Sequence, residues 1–228
     1  MPKKEETIIK FLGTGSEKPI PREDCDCLQC KSNDPKDNRF RSSILVNKKV
    51  LIDASPDILK QLRSNRIENL DTLILTHEHD DHVGGLKYIL RINRNVRLIR
   101  AKPGQHFKLL GADFFAFRIE HSKMAPTVGL VVNDIAYIPD SLSLNLATKY
   151  LQDVDIAILD GSMLGRAFGG HMSINEIIVT VKPFNNLKKI YFTHNGHTRK
   201  THKEMSELVQ KLGDKRFLIA YDGLEIKN

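Results

Sequence analysis

The chain has 228 residues and a formal net charge of +7, enough length for one domain with a sizeable core spanning residues 1–228. No apolar run approaches the roughly 18 residues of a membrane span, and the opening Met1-Pro2-Lys3-Lys4-Glu5-Glu6 lacks the apolar stretch of a signal peptide; a soluble, cytoplasmic protein without a membrane partner is expected. Three cysteines, all between Cys25 and Cys30, argue against a disulfide framework and for a reduced compartment or a metal clip.

In chain order, Thr7 to Leu12 reads as a strand, and Gly13-Thr14-Gly15-Ser16 turns it into a long polar loop to about Arg41. That loop carries Cys25-Asp26-Cys27-Leu28-Gln29-Cys30, three thiols spaced to bind a structural zinc that would need a fourth ligand from elsewhere. Ser43 to Asp53 looks like a hairpin around Asn47-Lys48-Lys49, and Pro56 suits the first turn of a helix to about Ile67. Leu70 to Thr76 is a strand, after which Val83, Leu86 and Leu90 recur at helical spacing. Lys87, Arg91 and Arg94 share one face of that helix and continue to Arg97, Arg100 and Lys102. This basic stretch reads as a solvated face ahead of a nucleic-acid footprint, since the chain has no Trp and no aromatic residues interleaved with the cations.

Short strands follow from Arg97 to Phe117, with His106 at the surface, and a strand over Asp113 to Glu120 ends at His121-Ser122. Thr127 to Val132 and Asp134 to Ile138 form a hairpin delivering Asp140; Tyr150 ends a short helix, and the buried strand Ile156 to Leu159 delivers Asp160. A glycine-rich loop over 161–170 presents His171 before a helix capped by Ser173 and Glu176. Lys189 to Phe192 is a strand that leads into Thr193-His194-Asn195-Gly196-His197. Thr201 and Glu204 cap a last helix, with His202 solvated on its first turn, before a strand over Phe217 to Tyr221.

The chemistry concentrates in Thr76-His77-Glu78-His79-Asp80-Asp81-His82, an H-x-H-x-D-H stretch where a strand ends and a helix begins. Such a turn can converge side chains that a continuous strand or helix would spread over several faces, and imidazoles with carboxylates accept Zn, Mn or Fe. Strands after about residue 40 end repeatedly in a candidate ligand: Asp53, His77, His121, Asp140, Asp160, His194. Strand ends gathered on one rim would place these groups together.

These motifs resemble the metallo-β-lactamase superfamily, an α/β fold built as an αββα sandwich of hydrolases. Phe11-Leu12-Gly13-Thr14-Gly15, the cysteine cluster, Leu51-Ile52-Asp53, H-x-H-x-D-H, His121-Ser122, Asp140-Ser141, His194 with His197, and Asp222-Gly223 are similar to its phosphoribosyl cyclic phosphate phosphodiesterase branch. The resemblance implies two divalent ions, Zn or Mn. His77, His79 and His121 would hold one, Asp81, His82 and His194 the other, with Asp140 bridging. It also implies that His197 completes the structural zinc site of Cys25, Cys27 and Cys30. Asp81 and His171 would be catalytic, His171 as proton donor to the leaving sugar oxygen, and Asp53 and Asp160 would orient ligand imidazoles. The expected reaction is attack of a metal-bridged hydroxide on a small phosphate diester, opening a cyclic phosphate of a sugar or nucleotide. A tRNA 3′-end endonuclease and a weakly catalytic metal-binding accessory protein are the alternatives, and a homodimer is compatible with each.

Overall fold

In β1 (Ile8–Gly13) Ile9 and Phe11 turn to one face and Leu12 to the other, and all three are inaccessible to solvent. A strand apolar on both faces needs a layer on each side. The hairpin of β2 (Ser43–Val46) and β3 (Val50–Ile52) behaves in the same way, and its turn places Asn47 and Lys48 at φ 46° and 66°. Positive φ at both central residues matches the twist of the strands they join.

The computed structural model describes residues 6–121 and 126–228. The opening hexapeptide except Glu6, and Ser122 after His121, lie outside them. Helix α1 (Ile58–Ser64) leads to β4 (Thr72–Leu75), then α2 (Asp80–Val83), α3 (Leu86–Ile92) and β5 (Arg97–Arg100). The chain continues through β6 (His106–Leu109), β7 (Ala112–Ile119), β8 (Thr127–Val132) and β9 (Ile135–Ile138), then α4 (Thr148–Leu151), β10 (Ile156–Asp160), α5 (Ile174–Val181) and β11 (Lys189–Thr193). It closes with α6 (His202–Leu212), β12 (Phe217–Ile219) and β13 (Glu225–Lys227).

Two sheets result, in the orders β13-β1-β2-β3-β4-β5 and β12-β11-β10-β9-β8-β7-β6. Ile9, Phe11, Ile44 and Ile52 of the first meet Phe114, Leu130, Tyr137 and Ile158 of the second in a central core. Behind the first sheet Leu12, Leu51 and Leu73 pack on α1 and α3; behind the second Ala157, Leu159 and Phe192 pack on α5 and α6. The layers therefore run helix, sheet, sheet, helix, the αββα sandwich that the resemblance implied.

Three expectations change. Residues 14–41 are not a free polar loop: Gly15 bridges both Arg41 and Asn195, Ile20 bridges Arg39, and Pro35–Asp37 form a 3-10 turn. The cause is polar and buried. The Arg39 guanidinium donates to Thr14 Oγ1 at 2.6 Å and to the Ala220 carbonyl, while the Asp222 carboxylate accepts from Thr14 Oγ1 and the Phe40 amide, both at 2.7 Å. The basic stretch does not hold one helical face either, because α3 ends at Ile92. Arg97 and Arg100 lie on β5, where exposed charges guard the outermost strand of the sheet.

The third concerns His202, which is half-buried rather than solvated. Its backbone amide donates to Asp37, its Nδ1 accepts from Arg39 Nη2 at 3.2 Å, and its ring meets Tyr221 edge-on. Burial, followed by the charges of Arg39 and Lys36, lowers its pKa from 6.5 to about 4. The unfolded chain takes up this proton below about 6.5 and the folded one does not, so this contribution to stability is present above about 6.5 and is lost as pH falls towards about 4. Urea midpoints measured across that window should fall, and His202→Asn should show a shallower slope over the same range.

Candidate metal centres

The strand that carries the histidine motif stops because Thr76 turns inward: its amide and hydroxyl both donate to Asp53, each at 2.8 Å. The α2 turn then begins at once and brings His82 back over the same carboxylate, its Nδ1 donating to Asp53 Oδ2 at 2.8 Å. Gly85 follows where a Cβ would collide with the Ser55 carbonyl, so this turn can lie against the backbone after β3. Asp53 and His194, at the ends of β3 and β11, both have left-handed backbone, φ 61° and 53°. That conformation is uncommon outside glycine and aims each side chain off its strand's end.

The strand ends come from both sheets, so the site lies where the two sheets meet rather than along one rim. His77 Nε2 and His121 Nε2 each lie 3.1 Å from His79 Nδ1 and 3.4 Å from Asp140 Oδ2. Asp81 Oδ2 lies 3.1 Å from His194 Nε2 and 3.6 Å from His82 Nε2. Asp140 reaches this second group too, at 3.5 Å to His82 and 3.6 Å to His194. Nitrogen and oxygen donors about 2.0–2.1 Å from a tetrahedral metal stand roughly 3.3 Å apart, so both groups have the spacing of metal ligands.

Partner bonds fix which nitrogen faces inward. His121 Nδ1 donates to the Gly170 carbonyl at 2.9 Å, as His82 Nδ1 does to Asp53, leaving Nε2 of each ring toward the centre. His82 Nε2 and Asp140 Oδ1 are buried without a hydrogen-bond partner, which a bound cation would supply. Burial holds the pKa of His79 and of His121 below the ordinary histidine value, so both offer lone pairs at neutral pH. For Asp81, burial alone would act upward, but the hydrogen bond from His194 and the His82 charge hold it below the usual carboxylate range.

Asp160 departs from its expected place. Its Oδ1 stands 3.9 Å from His194 Nδ1, beyond a hydrogen bond, while its Oδ2 accepts from His171 Nδ1 at 2.7 Å and the Ser141 and Ser162 amides fix the carboxylate. It therefore orients His171 rather than an imidazole of the two metal groups. Burial opposes protonation of His171, but the Asp160 bond and charge outweigh it and push the pKa up to about 9. The His171 ring centroid stands 4.7 Å from that of His121 and 5.5 Å from that of His194, and with Asp140 and His194 it forms a further group close enough to hold an ion. The Gly170 carbonyl had no signal in the sequence, and Thr76 only its place ahead of the motif.

On the other side of His194, Cys25, Cys27 and Cys30 place their sulfurs 3.4, 3.2 and 3.3 Å from His197 Nε2. Sulfur and nitrogen ligands of one tetrahedral zinc stand roughly 3.5 Å apart. Burial and the neighbouring Cys25 and Cys27 sulfurs raise Cys30 to about 11, the resistance that three thiols show to ionising together without a cation. This Cys3His group can hold a metal, as can the His/Asp groups. Among the described residues no helix is long and apolar enough to cross a membrane.

Comparison with known proteins agrees with this geometry. Over its full length the chain resembles the crystal structure of a new diphosphatase from the PhnP family, with a TM-score of 0.85, 25% identity and 98% of each chain covered. It is 27% identical to an octanoyltransferase of Porphyromonas gingivalis across 94% of this chain and 50% of that protein. A shorter match, 35% identical, is to ribonuclease Z of Clostridioides difficile and covers 29% of this chain and 24% of that enzyme. The chain thus spans half or less of the curated relatives it matches. The model of the metallo-beta-lactamase superfamily matches residues 37–172, more than half of the sequence and all of the segment from Asp53 through His171. With that match, the two-sheet sandwich and the converging His/Asp groups, the chain belongs to the metallo-beta-lactamase superfamily, whose members are metal-dependent hydrolases.

Proposed function

We propose that this chain is a dinuclear metal-dependent phosphodiesterase that opens the cyclic phosphate of a small sugar phosphate or nucleotide. The observation that carries the proposal is His171, hydrogen-bonded to Asp160 at 2.7 Å, beside two ligand groups that share Asp140. In this reading His77, His79 and His121 hold one divalent ion, Asp81, His82 and His194 the other, and Asp140 bridges. When bound, such ions lower the pKa of water toward about 7 and draw charge from phosphate oxygens. The residues supply the rest. Asp53 holds the His82 ring, and Asp81 keeps its charge in the cavity wall. With Nδ1 committed to Asp160, His171 carries its transferable proton on Nε2, where it can pass to the leaving sugar oxygen.

His171→Ala should lower kcat for 2′,3′-cyclic AMP by about 10²–10⁴-fold. Metal content should stay at the wild-type level. The loss should be smaller for bis(p-nitrophenyl) phosphate, whose leaving group departs without a proton. Equal rates of wild type and variant on the cyclic nucleotide would remove His171 from the reaction. The similarity to ribonuclease Z favours a second reading, a tRNA 3′-end endonuclease. One metal-loaded sample assayed on bis(p-nitrophenyl) phosphate, 2′,3′-cyclic AMP and a precursor tRNA separates the two. Turnover of the cyclic nucleotide without tRNA cleavage supports the first reading, cleavage of the tRNA alone supports the second, and inactivity on all three rejects both.

A further inference from the structure

The metal groups open into a cavity of about 560 Å³ whose walls include two side chains with no part in binding metal, Phe168 and Arg22. That volume is in the range of small-molecule sites. Phe168 is 77% exposed, the most exposed phenylalanine in the described chain. Single exposed apolar residues are ordinary on a surface. What sets this one apart is how it is held. Its backbone pairs with His171 in both directions, at 3.1 Å each, and the two glycines between them adopt φ 63° and 92°. Gly170 accepts from His121 and His171 donates to Asp160, so the hairpin that displays the ring is tied at its base to the metal site. The phenyl face is thereby fixed at the mouth of the cavity while remaining open to solvent.

Arg22 belongs to the loop held by the Cys3His group: its amide donates to Cys30 Sγ at 3.4 Å. Its Nε is buried without a hydrogen-bond partner, and among the described residues the guanidinium makes no ion pair. It also lines a second groove of about 1330 Å³, whose walls carry Lys18, Lys60 and Arg199 together with Glu23, Asp24 and Asp222. An open aromatic face and an unpaired guanidinium on the walls of one cavity match a flat base and a phosphate carried by one molecule.

We propose that Phe168 and Arg22 form the substrate-recognition pair of this cavity: Phe168 stacks on the aromatic base of a nucleotide and Arg22 binds an anionic phosphate oxygen of that nucleotide. This rests on the phosphodiesterase reading and narrows it from sugar phosphates in general to nucleotides.

The sequence contains no tryptophan, so Phe168→Trp makes a single-tryptophan reporter at the cavity mouth. In metal-loaded protein AMP should quench its emission and ribose 5-phosphate should not, and a second change, Arg22→Gln, should weaken AMP binding about tenfold. In steady-state assays Phe168→Ala should raise KM for 2′,3′-cyclic AMP about tenfold relative to KM for glycerol 1,2-cyclic phosphate, which has no base. Quenching by AMP in a protein that turns over no diester would keep the recognition pair and reject the phosphodiesterase. Turnover of both cyclic phosphates with the same KM ratio in wild type and Phe168→Ala, together with emission unmoved by AMP, would reject the pair and keep the enzyme. A sedimentation shift from dimer to monomer in Phe168→Ala with AMP affinity unchanged would make the ring a subunit contact and also overturn the proposal.

Discussion

Asp140→Asn is expected to lower kcat by about a thousandfold or more and to reduce bound divalent metal by at least one equivalent. Among the described residues no other carboxylate reaches both donor groups: Oδ2 lies 3.4 Å from His77 and His121 and 3.5 Å from His82, and Oδ1 lies 3.6 Å from His194. The amide keeps the shape and one oxygen but loses the charge that draws two dications together. Burial would raise the Asp140 pKa, yet His194 and His82 hold it well below the carboxylate range, so the group is an anion at neutral pH. Without metal the variant should melt no higher than the wild type, because the charge it loses is the one that His194 and His82 hold in place. The signature is therefore a wild-type melting temperature that rises on adding metal by more than the variant's. A full metal complement at wild-type rates in Asp140→Asn would show that the carboxylate does not bridge.

The second large effect concerns stability. Cys27→Ser should release about one equivalent of zinc and destabilise the protein by about 2–4 kcal/mol in chemical denaturation. The contact from Cys27 to His197 joins positions 170 residues apart at 3.2 Å. Chain entropy for a link of that length sets an upper value of about 5 kcal/mol. Less is expected, because Arg39, Thr14 and Asp222 already pin part of the same loop. Activity should fall as well, since Ser16, Glu17 and Arg22 of this loop and His197 line the metal-site cavity. Unchanged zinc by elemental analysis would show that the thiols hold no metal.

The strands were legible because their period was clean. Thr7 to Leu12, Thr127 to Val132 and Ile156 to Leu159 alternate or run apolar over lengths that few helices share, and the two Ser/Thr and Glu capping boxes marked the starts of α5 and α6. The loop from Gly13 to Arg41 was not legible. Its order comes from one buried guanidinium whose partners, Thr14 and Ala220, lie far from it in sequence, and no local pattern carries such a contact. The burial of His202 has the same origin, its neighbours Arg39 and Tyr221 coming from other segments.

By itself the sequence determined the elements, the residues able to bind metal, and the family likeness that gave the sandwich, because alternation, capping and ligand chemistry are written within a few neighbouring positions. Only the tertiary structure decided that Asp160 hydrogen-bonds His171 and stands 3.9 Å from His194, that the gathered groups belong to two facing sheets, and that Phe168 and Arg22 share the cavity with them. Those are distances between side chains 11 to over 100 positions apart, set by how the layers stack. A contact of that kind depends on the whole packing and leaves no trace in local sequence.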